Sequence, residues 1–227
     1  MSTTWNEIWK NRKVEFDSLD YSNLLKLNGY DGPQSNLTPQ NLNLAHKIYA
    51  EKMNLKPNQS IFEVGCGAGS FLYNWYNSGH KVGGCDISKN LLECTKKILP
   101  RGEWYLASDS EFEKEPKWDH LVSFGVCMYL TPREVLNLID RMINKANFSV
   151  SLFEISDLDK MIDCEKERRR MIPNYEVKYK DLNHFYHSKN DISEHLNKLG
   201  LNYTIYDQYI PGYENSKWRF NVTINLV

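Results

Sequence analysis

Residues 61–72 read "IFEVGCGAGSFL". Apolar and β-branched residues lead into a carboxylate, three glycines alternate with small residues, and bulky apolar side chains follow. The opening is patterned as a short buried strand, and the glycines allow a tight turn that a ligand can approach closely. A helix starting after such a turn offers unpaired backbone N–H groups. The spacing is GxGxG, with Ser70 standing where the dinucleotide fingerprint GxGxxG has its last glycine. Glu63 adds negative charge where a pyrophosphate would lie, which counts against NAD and suits a ligand carrying an ammonium or sulfonium group.

Outward from this turn, strand and helix patterns alternate. "KVGGCD" reads as a strand ending in Asp86, about 20 residues after the turn, from which a carboxylate accepts both hydroxyls of a ribose. "GSFLYNWYN" starts a helix and "SKNLLECTKKIL" another, capped by Ser88. "EWYLA" and "DHLVSF" are two further strands, Thr131 and Glu134 form a capping box for "VLNLIDRMINKA", and "FSVSLFE" is the fifth strand. This order implies a parallel sheet with helices on both faces. Near the end, Ser188 and Asp191 box a helix that stops at Gly200, and "NYTIYDQ" and "WRFNVTINLV" follow as an antiparallel pair. The expected fold is α/β: a Rossmann-like, seven-stranded, mostly parallel sheet with the last strand antiparallel and an N-terminal helical lid. In that lid "WNEIWK" is helical, and a second helix opens at Thr38 and Pro39 and runs to about Met53.

The 227 residues suit one domain, divided as an N-terminal helical cap (1–57), a cofactor-binding core (58–155), a lid insertion (156–190) and a C-terminal helix with a β-hairpin (191–227). A formal net charge of −1, from 28 basic and 29 acidic residues, gives no field to draw nucleic acid or anionic lipid, so a small molecule is the expected partner. No apolar run approaches the ~18 residues of a membrane helix, and "MSTTWNEIWK" lacks a signal-peptide hydrophobic region. A cytoplasmic location with no membrane partner is expected. The five cysteines form no CxxC pair, which argues against a disulfide framework or a zinc site. Cys66 reads as a small residue tolerated between glycines rather than a nucleophile, since no flanking cation would lower its pKa.

"EVGCGAGSFL", "GGCDIS", "YLASDS" and "WDHLVSFGVCMYL" together resemble the successive motifs of class I S-adenosylmethionine-dependent methyltransferases, over roughly residues 58–155. The resemblance implies S-adenosylmethionine as cofactor and S-adenosylhomocysteine as product. It places Glu63, Gly65, Cys66, Gly67 and Gly69 around the methionine portion, Asp86 on the ribose and Ile87 on the adenine face. Ser123 and Phe124 would border the transferred methyl. The family's acidic residue at the third strand tip falls on Ser108 or Asp109, which leaves the adenine contact open. The Asn/Asp-Pro-Pro-Tyr/Phe motif of many amide and adenine methyltransferases is replaced by "SFGVCMYL", which removes most support for nucleic-acid base methylation. A finer likeness, carried by "LLKLNGYDG" and "IPGYENSKWRFNV", is to bacterial small-molecule methyltransferases associated with capsule and surface-sugar biosynthesis. It implies a hydroxyl oxygen of a sugar or phosphoramidate capsule precursor as the acceptor. An N-methyltransferase, a nonenzymatic S-adenosylmethionine-binding protein and an NAD-dependent oxidoreductase are the alternatives.

Displacement at a sulfonium needs alignment and desolvation more than a dedicated base. The acceptor would enter over the strand ends, under the cap, the insertion and the loop at 208–219. The aromatic residues there suggest a closed, fairly apolar pocket, with Tyr21, Tyr30, Tyr129 and Tyr213 as candidate substrate contacts. His184 and His187, with Tyr186 between them, are the candidate catalytic groups, because a histidine accepts a proton near neutral pH. Arg219 either recognises an anionic acceptor or pairs with a structural carboxylate. The run "EKERRR" at 165–170 reads as a solvated helix face, and the oligomeric state as monomer or homodimer.

Overall fold

Five strands, β1 (Ile61–Val64), β2 (Val82–Asp86), β3 (Glu103–Leu106), β4 (Trp118–Phe124) and β5 (Ala146–Ser156), pair in parallel. β6 (Asn202–Asp207) and β7 (Arg219–Asn225) are antiparallel partners, and β7 also runs antiparallel to β5. The order across the sheet is β3-β2-β1-β4-β5-β7-β6. The computed structural model describes residues 4–15, 18–108, 112 and 116–227. From β1 the chain steps outward to β3 and then returns to β4 on the other side. The carboxyl ends of β1 and β4 therefore flank a topological switch point, the place where open α/β sheets bind ligands.

The inner strands are buried on both faces, as parallel strands covered by helices must be. Phe62, Val64, Leu121, Val150, Phe220 and Val222 pack on one side, against α6 (Pro132–Lys145) and α9 (Lys189–Lys198). Ile61, Val122, Phe124 and Phe153 pack on the other, against α3 (Pro39–Lys52) and α4 (Tyr73–Asn77). The Thr131–Glu134 capping box opens α6, and Thr38 with Pro39 opens α3. Ser188 caps α9 by accepting the Asp191 N–H at 3.1 Å, and Gly200 follows at φ +68°.

One helix starts later than its sequence suggests. Residues 69–72 are turns, and α4 begins only at Tyr73, because Gly67 (φ +53°) and Gly69 (φ +77°) hold the chain in left-handed conformations. Another departure lies in β7, whose polar residues are not at a solvated face. Arg219, Asn221 and Thr223 are each about 1% exposed; Asn221 Oδ1 accepts the Glu154 N–H and Thr223 Oγ1 accepts the Ser151 hydroxyl, whereas Arg219 Nε and Nη2 have no partner. Above the strand ends lie α1 (Trp5–Lys10), α2 (Tyr21–Leu27), α7 (Met161–Met171), α8 (Tyr175–Lys178) and the tight turn Glu214–Trp218. Between α2 and α7, β2 continues into α5 (Lys89–Ile98). Among the described residues no helix is long and apolar enough to cross a membrane.

Candidate active site

A cavity of about 440 Å³ opens at the carboxyl ends of β1, β2, β4 and β5, within the range of small-molecule sites. Glu63, Gly65, Gly67, Asp86, Ile87 and Phe124 form part of its wall. The turn's amides are already satisfied. Gly65 and Cys66 donate to the Cys85 carbonyl, Gly67 to Asp86 Oδ2, Ala68 to Asn28 Oδ1 and Gly69 to the Cys66 carbonyl, all at 2.8–3.0 Å. This corrects the expectation of N–H groups waiting for a ligand, and it leaves no amide cradle here for a pyrophosphate.

What the turn offers instead is a pair of carboxyl groups, the buried Glu63 and the half-buried Asp86. Glu63 is 1% exposed and its Oε2 has no hydrogen-bond partner. Burial, and next the charge of Asp86, hold its carboxyl well above the usual carboxylate range. Burial also raises Asp86, against the lowering effect of the Ser88, Gly67 and Ile87 amides. A buried orphan carboxylate oxygen is costly unless a donor or cation completes it. These residues fit a group with an ammonium or sulfonium charge near Glu63 and hydroxyls near Asp86, whose Oδ1 also takes the Ser88 N–H at 2.8 Å.

The cavity continues to Glu154, at the end of β5. Its Oε2 accepts the Tyr30 hydroxyl at 2.7 Å, and its Oε1 accepts the Tyr213 hydroxyl. Glu154 sits at φ +62° where the β5–β7 register shifts, and its N–H donates to Asn221 Oδ1 at 2.9 Å. Burial raises its pKa, opposed by Arg219, Tyr213 and Tyr30. Arg219 is 1% exposed and lies outside the cavity wall; Glu154 is the strongest of the charges that act on it. Neither of the two roles open to Arg219 is completed by a contact: its Nε and Nη2 have no hydrogen-bond partner, and Glu154 acts on it through charge alone. Gln34, 5% exposed, lines the same end of the cavity, and its Nε2 has no partner.

A third cluster closes the cavity from the insertion. Arg168, within the run expected to be a solvated face, is 6% exposed and lines the cavity, with its guanidinium 5.3 Å from the Tyr179 ring centre. Being four residues from buried Cys164, it shares the inner face of α7 while Lys166, Arg169 and Arg170 stay outside. Arg168 Nη2 donates to His184 Nδ1 at 2.9 Å. Burial first, then Arg168 and Arg219, depress His184 to about 2. It is a neutral ring whose remaining Nε2–H is a donor, so it cannot act as the general base expected of it. Trp5 packs at a tilt against His184, ring centres 4.6 Å apart, and against Tyr129 at 5.0 Å, and its Nε1 donates to the Asn183 carbonyl at 2.8 Å.

Several candidates stand outside the cavity wall. His187 Nε2 donates to the Cys127 carbonyl at 2.8 Å, and Tyr186 donates to Glu165 Oε1 at 2.6 Å. Tyr21 stacks on Tyr73 at 4.5 Å and accepts from Asn74. Ser123 is fully buried and donates to the Val64 carbonyl at 3.0 Å. The Cys66 side chain is fully buried, its thiol pushed up by burial, and Gly69 lies against Thr95 and Leu99 of the α5 region. Ser108 lies beyond the wall at the end of β3, and Asp109 falls outside the described residues. Sequence reading missed Asn28, Gln34, Glu154 and Arg168.

Residues 62–146 match a protein-family model described as a methyltransferase domain. Among solved structures the chain is similar to a magnesium protoporphyrin IX methyltransferase from Synechocystis with bound S-adenosylhomocysteine. The identity is 15%, the match covers 97% of this chain and 90% of that one, and the TM-score is 0.54. It is similar to the plantazolicin methyltransferase BpumL in complex with a triazolic desmethylPZN analog and S-adenosylhomocysteine, at 15% identity, 87% and 88% coverage and a TM-score of 0.68. A DhpI-SAM-HEP complex aligns at 11% identity, 91% and 94% coverage and a TM-score of 0.61. At such identities the likeness is one of fold. No curated protein sequence matches the chain.

Proposed function

We propose that the protein, whose residues 62–146 match a family model described as a methyltransferase domain, is an S-adenosylmethionine-dependent enzyme that methylates a hydroxyl oxygen of a small polar metabolite. The observation that carries this reading is the unpaired, buried Oε2 of Glu63 on the wall of the same cavity as Asp86. Glu63 and Asp86 would hold the cofactor's cationic and ribose portions, and Ile87 and Leu91 would line the adenine side. Bound there, the cofactor supplies an electrophilic methyl on a sulfonium with a good leaving group.

The chain's own contribution is orientation and exclusion of water. Phe124, Tyr129, Trp9 and Tyr179 give the acceptor end an apolar wall, and Gln34, Asn215 and Arg168 add polar groups to it. An oxygen-rich acceptor fits that mixture, and Arg168 with Lys178 on the wall favours one that carries negative charge. A sugar or phosphoramidate capsule precursor belongs to this class, and the proposal extends to it. Residues 1–57 and 156–190 act as cap and lid in this reading, and the five free, buried cysteines suit a reducing compartment such as the cytoplasm.

Calorimetric titration with S-adenosylmethionine, S-adenosylhomocysteine and NAD in parallel is the first test. Micromolar binding of the first two without NAD is expected, and binding of NAD alone would overturn the proposal. Transfer of labelled methyl to a panel of sugar phosphates, nucleotide sugars and their amino-sugar counterparts then separates O- from N-methylation.

A further inference from the structure

Four carboxylates line one cavity; Asp31 is exposed, and of the three buried deeper, Glu63, Asp86 and Glu154, the cofactor accounts for only two. Asp86 ends β2 and Glu63 lies in β1, while Glu154 lies two strands further on, across β4, at the end of β5. Neighbouring strands are about 4.8 Å apart, so β5 runs roughly 10 Å from β1, and the pairings Glu63–Val122 and Val122–Ser151 put Glu154 three residues, about 10 Å, further toward the carboxyl ends than Glu63. Between them lies Gly125, which follows β4 at φ +71°. A Cβ there would sit 2.6 Å from the Tyr30 hydroxyl and 3.3 Å from Glu154 Oε2. Only glycine keeps this passage open from the cofactor end to the Glu154 carboxylate.

Glu154 is built as a site rather than as packing. It is 4% exposed, at φ +62° in the middle of a register shift, a conformation that costs energy and persists where the surroundings impose it. Each of its oxygens takes one tyrosine hydroxyl, while a carboxylate has about four acceptor sites. Capacity for a further donor remains on the carboxylate, and Glu154 is among the residues that line the cavity.

We propose that Glu154 is a catalytic residue: its carboxylate faces the transferred methyl and receives the proton of the acceptor's hydroxyl or amine. This rests on the cofactor reading given above. As the acceptor atom bonds to the methyl carbon, the electron pair of the broken carbon–sulfur bond stays on sulfur, and the acceptor's proton passes to a Glu154 oxygen. Tyr30 and Tyr213 are positioning residues that hold the carboxylate in its strained conformation.

Sinefungin tests this without an identified acceptor, because an amine-bearing carbon replaces the sulfonium sulfur and its methyl, putting the amine where the transferred methyl would be, and the rest of the molecule matches S-adenosylmethionine. The wild type should bind sinefungin at least about tenfold more tightly than S-adenosylhomocysteine, and Glu154→Gln should abolish that preference while leaving S-adenosylhomocysteine affinity within about twofold. No preference in the wild type, or an unchanged preference in Glu154→Gln, overturns the proposal. If Glu154→Gln loses its thermal transition, Glu154→Asp replaces it, with a reduced preference expected and an unchanged one overturning the assignment. A wild type that binds neither compound refutes the cofactor reading itself, which separates the two failures.

Discussion

The side-chain oxygen of Asn28 accepts the backbone N–H of Ala68 at 2.8 Å, so the end of α2 is clipped to the glycine turn. The same carboxamide donates to Ser70 Oγ at 2.8 Å. A Cβ on Gly67 would run into it, which explains why that position is glycine although its amide faces Asp86. Cap and cofactor turn are therefore one unit. Asn28→Ala leaves the buried Ala68 N–H unpaired and should cost about 1–3 kcal/mol of stability. Because the freed turn must be reordered on binding, affinity for S-adenosylhomocysteine should also fall. Urea denaturation and calorimetry on the same variant check both, and unchanged affinity would uncouple the cap from the turn.

Asp86 holds the turn and, in the proposed function, the ribose. Asp86→Ala removes the acceptor of the Gly67 and Ser88 N–H groups together with any ribose contact. Cofactor affinity should fall by about 1.5–3 kcal/mol, the range for hydrogen bonds to a charged group. Full retention of affinity in a calorimetric titration would remove Asp86 from the site.

His46 lies under the cap, with its ring 4.6 Å from Trp75 and 5.0 Å from Phe71. Burial depresses it to about 3, so the folded protein keeps it neutral where the unfolded chain, near 6.5, takes up a proton. Its contribution to stability is complete above pH 6.5 and is lost as pH falls from there toward 3, at about 1.4 kcal/mol per pH unit. His46→Phe keeps the aromatic packing and removes the titration. The drop in unfolding free energy between pH 7 and pH 5 should then shrink by about 2 kcal/mol. Urea titrations of both proteins at the two pH values decide it, and equal drops would rule out this origin.

The sheet was legible because its signals are local. Alternation of buried strands with capped helices, and the carboxylates at Glu63 and Asp86, can be read within a few residues of each turn. Glu154 was not legible, since "SLFEIS" looks like any buried strand. Its meaning depends on a left-handed φ and on Tyr30, Tyr213 and Arg219 converging from distant parts of the chain. Arg168 was hidden for a different reason. A run of charges with one inward-facing member has the composition of a solvated face, and only the helix register against the cavity singles it out. The histidines misled because an imidazole's role is set by its partners, which the sequence does not display.

That point can be measured at His184. Its Nδ1 is occupied by the Arg168 guanidinium at 2.9 Å, and burial, then Arg168 and Arg219, disfavour the charged ring. Imidazole resonances of His184 should therefore show no titration between pH 5 and 8, with the proton fixed on Nε2. In Arg168→Met the Nδ1 acceptor is released and one repelling charge is gone, so the pKa should move upward, while the remaining burial and Arg219 still hold it below the ordinary histidine value. Selective labelling and NMR titration of both proteins read the two states directly. A wild-type His184 that titrates near 6.5 would restore it as a candidate base and would weaken the case for Glu154 as the group that takes the proton.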